Sequence, residues 1–178
     1  QPYSDSPHDT ENVSENIYMN IIERAKDYVY ITTPYLILDD AMETSLKNAA
    51  KAGVDVRIIT PHIPDKKLVF EATRASYMPL MKAGVKIYEY TPGFVHAKMF
   101  VSDDKLATVG TANLDYRSLF LHFECGALMY RSAAVSSVKA DFLETFEKCH
   151  RCSIAEMKRC SPFGKALAFV MKIIAPLL

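Results

Sequence analysis

Six residues in one short segment have the types and spacing for chemistry on a phosphate ester. His96 and Lys98 are two apart, so on an extended strand both side chains leave the same face. Asp103 follows in an H-x-K-x4-D pattern, and Gly110, Thr111 and Asn113 follow after six intervening residues as G-[ST]-x-N. An imidazole can attack phosphorus or protonate a leaving alkoxide. An ammonium and a carboxamide can hold the non-bridging oxygens as negative charge builds on them. Thr111 adds one hydroxyl donor. Glu124, 28 residues beyond His96, offers a carboxylate for the second ring nitrogen. That contact would fix the tautomer and stabilise the imidazolium. No pair of nearby carboxylates stands at metal-ligand spacing, so neither a metal nor a cofactor is called for.

The pattern is specific. With average residue frequencies, H-x-K-x4-D alone arises by chance in roughly 1% of chains this long. Adding G-[ST]-x-N at fixed spacing lowers that by about three orders of magnitude. A core histidine with an unrelated surface lysine and aspartate is therefore a poor account of the segment.

The elements that must carry these residues can be read from periodicity. Residues 14–26 place Ile17, Ile21, Ile22 and Ala25 at helical spacing, with Ser14 as the expected N-cap. Residues 28–33 (YVYITT) are β-branched and aromatic and read as a strand. A second helix is expected from Asp40, with Glu43 completing a capping box and Gly53 as the stop. A strand over 54–60, a helix from about 66 to Gly84 and a strand over 85–90 follow. Such alternation argues a mixed, mostly parallel sheet of six or seven strands, with helices on both faces. Beyond it, 97–102 and 106–111 read as a hairpin about Asp103, Asp104 and Lys105, then a strand over 123–131 and a helix over 132–150. No short internal repeat is visible. The expected division is a loose lead-in over 1–13, an α/β domain over 14–150 and a helical tail over 151–178.

The 178-residue chain fits one domain, and its 49% hydrophobic and 24% charged residues are globular values. Its formal net charge is zero, which offers no global attraction for nucleic acid. The tail is basic, with five Lys and Arg against Glu156 alone. Its last part sets Phe163, Leu167, Val170, Met171 and Ile174 on one helical face, with Lys165 and Lys172 opposite. Packing on the domain and docking on an anionic membrane both stand as readings. No apolar run is long enough to span a bilayer, and the first residues do not form a signal peptide. The absence of a starting Met suggests a piece of a longer protein.

Four cysteines, Cys125, Cys149, Cys152 and Cys160, are too few and uneven for a disulfide framework, which suggests a reducing, cytoplasmic-side setting. Cys149 and Cys152 form a C-x2-C element, but no fourth well-spaced zinc ligand accompanies it. Phe94 and Val95 fit either an acyl-chain contact or loop packing. Asp115 and Arg117 are expected to pair within their turn.

His96, Lys98, Asp103, Gly110, Thr111 and Asn113 resemble the HKD motif of the phospholipase D superfamily. The wider string HAK…GTANLDYRS…FE is similar to the C-terminal motif of bacterial cardiolipin synthases, as are ITTPYLILDD, MKAGVKIYEYTPGFVHAK and the terminal APLL. The resemblance implies a phospholipase D-like half whose reaction moves a phosphatidyl group between two phosphatidylglycerol molecules. Cardiolipin and glycerol would result, through a phosphohistidine-type intermediate and without metal. It implies His96 as a catalytic histidine, with general acid/base the first assignment and nucleophile the second. Lys98, Thr111 and Asn113 would bind phosphate, Glu124 would orient His96, and Asp103 would be the motif's structural acid. His122 stands where the family often has Asn, and either touches the site or faces away. The superfamily builds its site from two such motifs, and this chain has one. The implied partners are an anionic phospholipid, a membrane surface and a second HKD domain, from a missing N-terminal half or a homodimer partner. The rivals are a homodimeric phosphodiesterase or nuclease and a silent membrane-docking half.

Overall fold

A computed structural model describes residues 1–158. In chain order it contains β1 (Pro2–Asp5), α1 (Val13–Arg24), β2 (Tyr28–Thr32), β3 (Leu36–Ile37), α2 (Asp40–Lys51), β4 (Asp55–Pro61) and α3 (Lys67–Ala83). Then come β5 (Lys86–Tyr90), β6 (Met99–Ser102), β7 (Leu106–Gly110), β8 (Leu114–Asp115), α4 (Tyr116–Phe120), β9 (Glu124–Tyr130), α5 (Ala133–Glu147), β10 (Cys149–Arg151) and α6 (Ile154–Lys158). The expected amphipathic C-terminal helix lies outside the described residues.

Eight strands form one mixed sheet in the order β1-β9-β7-β6-β2-β4-β5-β10, and β3 and β8 form a separate parallel ladder. The alternation of strands and helices through residue 90 is present as expected. It produces the parallel β2–β4 and β4–β5 pairs. The expectation of a mostly parallel sheet needs correction, because the other five pairings of the large sheet are antiparallel. After β5 the β6–β7 hairpin, the return of β9 beside β7 and the return of β10 beside β5 all run antiparallel.

Two strands beyond the expected count sit at the edges. The lead-in over 1–13 contains β1, which pairs with β9 from Pro2↔Ala127 to Asp5↔Glu124. Tyr3 covers Gly126, where an added Cβ would stand 2.4 Å from the ring. The helix expected to reach residue 150 stops at Glu147, and Cys149–Arg151 pairs with β5 as β10.

Capping differs in detail. Ser14 lies inside α1, and its backbone N–H donates to the Asp5 carboxylate at 2.7 Å, so β1 caps the helix from outside. Asp39, not Asp40, caps α2 by accepting from Met42 N at 2.7 Å. Gly84 ends α3 at φ 108°, a left-handed conformation that favours glycine.

Strand β2 is buried throughout and shows how the core divides. Val29 and Ile31 join Tyr18, Ile21, Leu46, Ile58, Tyr77 and Phe100 under α1, α2 and α3. Tyr28 and Tyr30 join Ile59, Val101, Val135 and Phe142 under α5. Helices therefore cover both faces, and each fully buried Leu or Ile contributes roughly 1.5–3 kcal/mol.

Candidate active site

Strand register places the candidate residues. Met99 opens β6 opposite Thr32, at the C-terminal end of β2, so His96 and Lys98 lie at that end of the sheet. Val109 of β7 pairs with Met99, which brings Thr111 and Asn113 to the same end. Gly110 pairs with Gly126 of β9, which adds Glu124. Asp103 instead lies in the hairpin at the opposite end of β6, beside the start of β2.

His96 and Lys98 meet directly. Lys98 Nζ is 3.1 Å from His96 Nε2 and donates to the His96 carbonyl at 2.8 Å. An ammonium has no lone pair, so an N–H donated to Nε2 requires an unprotonated ring nitrogen there. Partial desolvation, then the Lys98 charge, hold the imidazole below its usual pKa, while Asp65 opposes them. Lys98 is buried, and desolvation lowers its pKa although Glu124 and Asp115 favour its charge. The resting pair thus consists of a nucleophilic or basic ring nitrogen beside a cation that lacks a direct carboxylate partner among the described residues.

The Gly110–Asn113 turn is fixed from the core. Tyr18, stacked on Phe100 with centroids 4.2 Å apart, donates its hydroxyl to the Ala112 carbonyl at 2.8 Å. Leu114 N donates to Thr33 Oγ1 at 3.1 Å, and the β3–β8 ladder pairs Leu36 with Leu114. Asn113 donates to Asp115 Oδ2 and Ser118 Oγ, both at 2.9 Å. Its buried Oδ1 has no partner. The carboxamide is therefore held rigidly by its nitrogen, with an unused oxygen.

Two expected roles change, those of Thr111 and Glu124, while Asp103 keeps the structural role expected of it. The Thr111 hydroxyl accepts from Cys125 N at 2.9 Å and donates to Cys125 O at 3.2 Å, so here it ties the turn to β9. Glu124 makes no hydrogen bond with His96. Its charge acts on Lys98, and its Oε1 is 4.0 Å from His122 Nδ1. The carboxylate felt by His96 is Asp65, whose Oδ2 accepts from Tyr35 Oη at 2.5 Å. Asp103 does not belong to the reacting group: it accepts from the backbone N–H groups of Lys26, Asp27 and Tyr28 at 2.7, 3.0 and 3.0 Å. Burial works against that charge, but the three donors hold the carboxyl below its usual range.

A cavity of about 340 Å³ adjoins the motif. Asn113 and Glu124 form part of its wall, and His122, Arg117, Lys66 and Tyr35 line the rest. His122 thus faces the site, with Nε2 accepting from Arg117 Nε at 2.8 Å. Phe94 lies between Tyr35 and His96, with ring centroids 6.4 and 5.6 Å away. Lys66 and Asp65 carry no motif spacing in the sequence, whereas Tyr35 lies in the ITTPYLILDD segment that resembles the family. All three follow the ends of β2 and β4, where an α/β sheet gathers its ligands.

Fold and site together define a phospholipase D-like domain. A family model described as "Cardiolipin synthase, PLD-like domain" matches residues 18–146, and the chain belongs to that family. A protein of Streptococcus mutans described as uncharacterized is 53% identical over 177 residues, 99% of this chain and 38% of that protein. The cardiolipin synthase of Halalkalibacterium halodurans is 35% identical over 178 residues, 100% of this chain and 35% of its own length. That of Geobacillus kaustophilus is 40% identical over 167 residues, 93% and 33% of the two chains. The chain thus spans about a third of the length of the curated relatives it matches.

Among solved structures, the phosphatidylserine synthase of Haemophilus influenzae superposes with a TM-score of 0.80 at 14% identity, covering 100% of this chain and 47% of that one. Nuc, a phospholipase D family member from Salmonella typhimurium, superposes at 0.71 with 15% identity, covering 85% and 99%. At such identities the likeness concerns the fold. Among the described residues no helix is long and apolar enough to cross a membrane.

Proposed function

We propose that this chain is one half of a phosphatidyl-transfer site that makes cardiolipin from two phosphatidylglycerol molecules at a membrane surface. The observation that carries the reading is the 3.1 Å approach of Lys98 Nζ to an acceptor nitrogen of His96, at the sheet end that also holds Asn113. A phosphodiester entering there meets a buried ammonium and an unprotonated imidazole.

Two imidazoles complete the chemistry. One ring nitrogen forms a bond to phosphorus as the P–O bond to glycerol breaks, and the other imidazole, as imidazolium, gives its proton to that oxygen. The acceptor hydroxyl then returns a proton to the neutral second ring as its oxygen replaces nitrogen on phosphorus. This chain supplies His96. The second histidine comes from a second HKD motif, in the remainder of a longer protein or in a second copy. His96 takes the acid/base role, and a bound phosphodiester raises its proton affinity by placing negative charge beside it. The unprotonated resting nitrogen favours a second assignment, as nucleophile.

The decisive experiment uses the full-length protein with labelled phosphatidylglycerol in vesicles. Cardiolipin and glycerol should form in equal amounts, and a rapid denaturing quench at alkaline pH, where a phosphorus–nitrogen bond survives, should trap phosphorus on one histidine, whose position assigns the roles. Release of phosphatidic acid without cardiolipin, or cleavage of nucleic acid alone, would overturn the reading.

A further inference from the structure

Large apolar side chains are left exposed at the same sheet end as His96. Phe123 is 73% exposed, Leu68 58%, Leu121 51% and Ile63 50%, and among the described residues only Tyr130 ranks with them elsewhere. Ile63 follows β4 and Leu68 lies in the first turn of α3, whereas Leu121 and Phe123 join α4 to β9. These two segments flank the cavity beside the motif: Lys66 and Val69 enter its wall from the first, and His122 from the second. The mouth of the cleft therefore has two apolar lips. The first lip is also cationic. Lys66 and Lys67 are exposed, and neither has an ion-pair partner among the described residues. Asp65, the one acid of that lip, accepts from Tyr35 Oη and Lys66 N. Helix α3 starts there with no side-chain cap and no acid in its first turn. Positive charge at a helix N-terminus is unfavourable in isolation and suits an anionic surface.

We infer that the two lips seat in an anionic bilayer, with Ile63, Leu68, Leu121 and Phe123 at its acyl boundary and Lys66 and Lys67 among its phosphates, so that the cleft opens onto the lipid surface. This rests on the transfer reading above, because it takes a two-chain phospholipid as substrate. Cavity size then selects the occupant. At about 30 Å³ per water, 340 Å³ holds on the order of ten waters, room for a headgroup and not for two long acyl chains. Lifting those chains into water costs free energy for every methylene exposed. The headgroup reaches His96 with its chains still in the bilayer only where the cleft mouth meets the bilayer, and the lips are that mouth. Leu, Ile and Phe gain by entering the acyl boundary, and lysines gain beside anionic headgroups.

The full-length protein tests this with one headgroup in two physical states: dihexanoyl phosphatidylglycerol as dissolved monomers and dioleoyl phosphatidylglycerol in vesicles. Ile63→Ser/Leu68→Ser and Leu121→Ser/Phe123→Ser should each slow transfer in vesicles at least about tenfold, since two apolar side chains lose their burial, and leave transfer between monomers within about twofold. Added salt should slow the vesicle reaction, and Lys66→Gln/Lys67→Gln should blunt that response. An unchanged salt response in that variant overturns the anionic contact. Equal losses on monomers and vesicles would make the lips the seat of the second HKD domain and overturn the bilayer as occupant, and unchanged vesicle rates would overturn it too. A readout without turnover keeps the two readings apart. Phosphatidylglycerol with a diazirine at an acyl terminus is photolysed in vesicles with the protein, and adducts are mapped by mass spectrometry. Adducts on both lips are expected. If they form and neither lipid supports transfer, the function reading fails and the docking surface stands. If transfer occurs and neither lip is labelled, only the docking surface fails.

Discussion

Strand β6 has one end where the proposed reaction is placed and one end that holds the fold. Before Met99, His96 and Lys98 place a cation and an unprotonated imidazole 3.1 Å apart, and nearby Asn113 has a buried oxygen with no partner. After Ser102, Asp103 accepts three backbone N–H groups within 3.0 Å. Three letters of one motif thus have opposite physical states. At the reacting end polar groups are incompletely satisfied, the condition that leaves them able to bind a ligand. At the holding end satisfaction is complete, and the hairpin that carries β7 is locked to the start of β2. Asp103 and Asp104 also adopt positive φ, 52° and 55°, which aspartate tolerates and β-branched residues do not.

The comparison breaks most readily at His96. In the full-length protein His96→Ala should reduce phosphatidyl transfer by roughly 10²–10⁴-fold, with an unchanged denaturation midpoint. A loss of folding in place of activity would make the reacting end structural. The same imidazole sharpens the contrast by titration. Its value lies below the usual 6.5. The unfolded chain therefore takes the proton first as pH falls, so acidification through 6.5 costs stability. Lys98→Gln removes the neighbouring charge and should move the midpoint up towards 6.5, followed by NMR of the His96 ring. An unmoved or lower midpoint would remove Lys98 as a cause.

Sequence legibility divides along the same line. His96, Lys98 and Asn113 were legible because hairpin registers and period-two strands convert their spacing into one sheet end. The role of Glu124 was not, because its spacing from His96 does not show that its charge acts on Lys98. Strand β1 was hidden for a different reason. PYSD has little strand character, and it is held by tertiary contact, with Tyr3 over Gly126 and its hydroxyl 2.9 Å from Thr108 Oγ1. The parallel excess was overestimated because the antiparallel edge pairings of β1 with β9 and of β10 with β5 join segments far apart in sequence, which no local pattern shows.

At the holding end a smaller effect is expected. Asp103→Ala leaves three N–H groups without their acceptor and puts a Cβ-bearing residue with no side-chain acceptor at φ 52°. Water replaces part of the loss because the site is partly exposed, so about 2 kcal/mol of stability is expected to go. Urea denaturation measures it. The carboxyl lies below its usual value, so its contribution is present above pH 3.8 and fades as pH falls through the folded value. Asp103→Ala should lose its deficit in acid, and the folded fraction at neutral pH should keep near-normal kcat. A kcat reduced as far as in His96→Ala would put Asp103 in the reacting group after all.

The smallest effect belongs to the link between core and site. Tyr18 is fully buried, and burial pushes its phenol pKa up, so the hydroxyl remains a donor to Ala112 O at every accessible pH. Tyr18→Phe keeps the ring stacked on Phe100 and removes the hydroxyl, which serves Ala112 O and also meets the Tyr3 hydroxyl. The net worth of one such hydrogen bond is about 1 kcal/mol, with more expected here because the Ala112 carbonyl is left buried. Ala112 stands between Thr111 and Asn113, so the loss loosens the turn that presents the Asn113 carboxamide. Transfer should therefore slow by a few-fold, mainly through kcat, alongside a drop of about 1 kcal/mol in stability. If stability falls and transfer does not, the β3–β8 ladder alone fixes Asn113, and Tyr18 belongs with Asp103 among the groups that only hold.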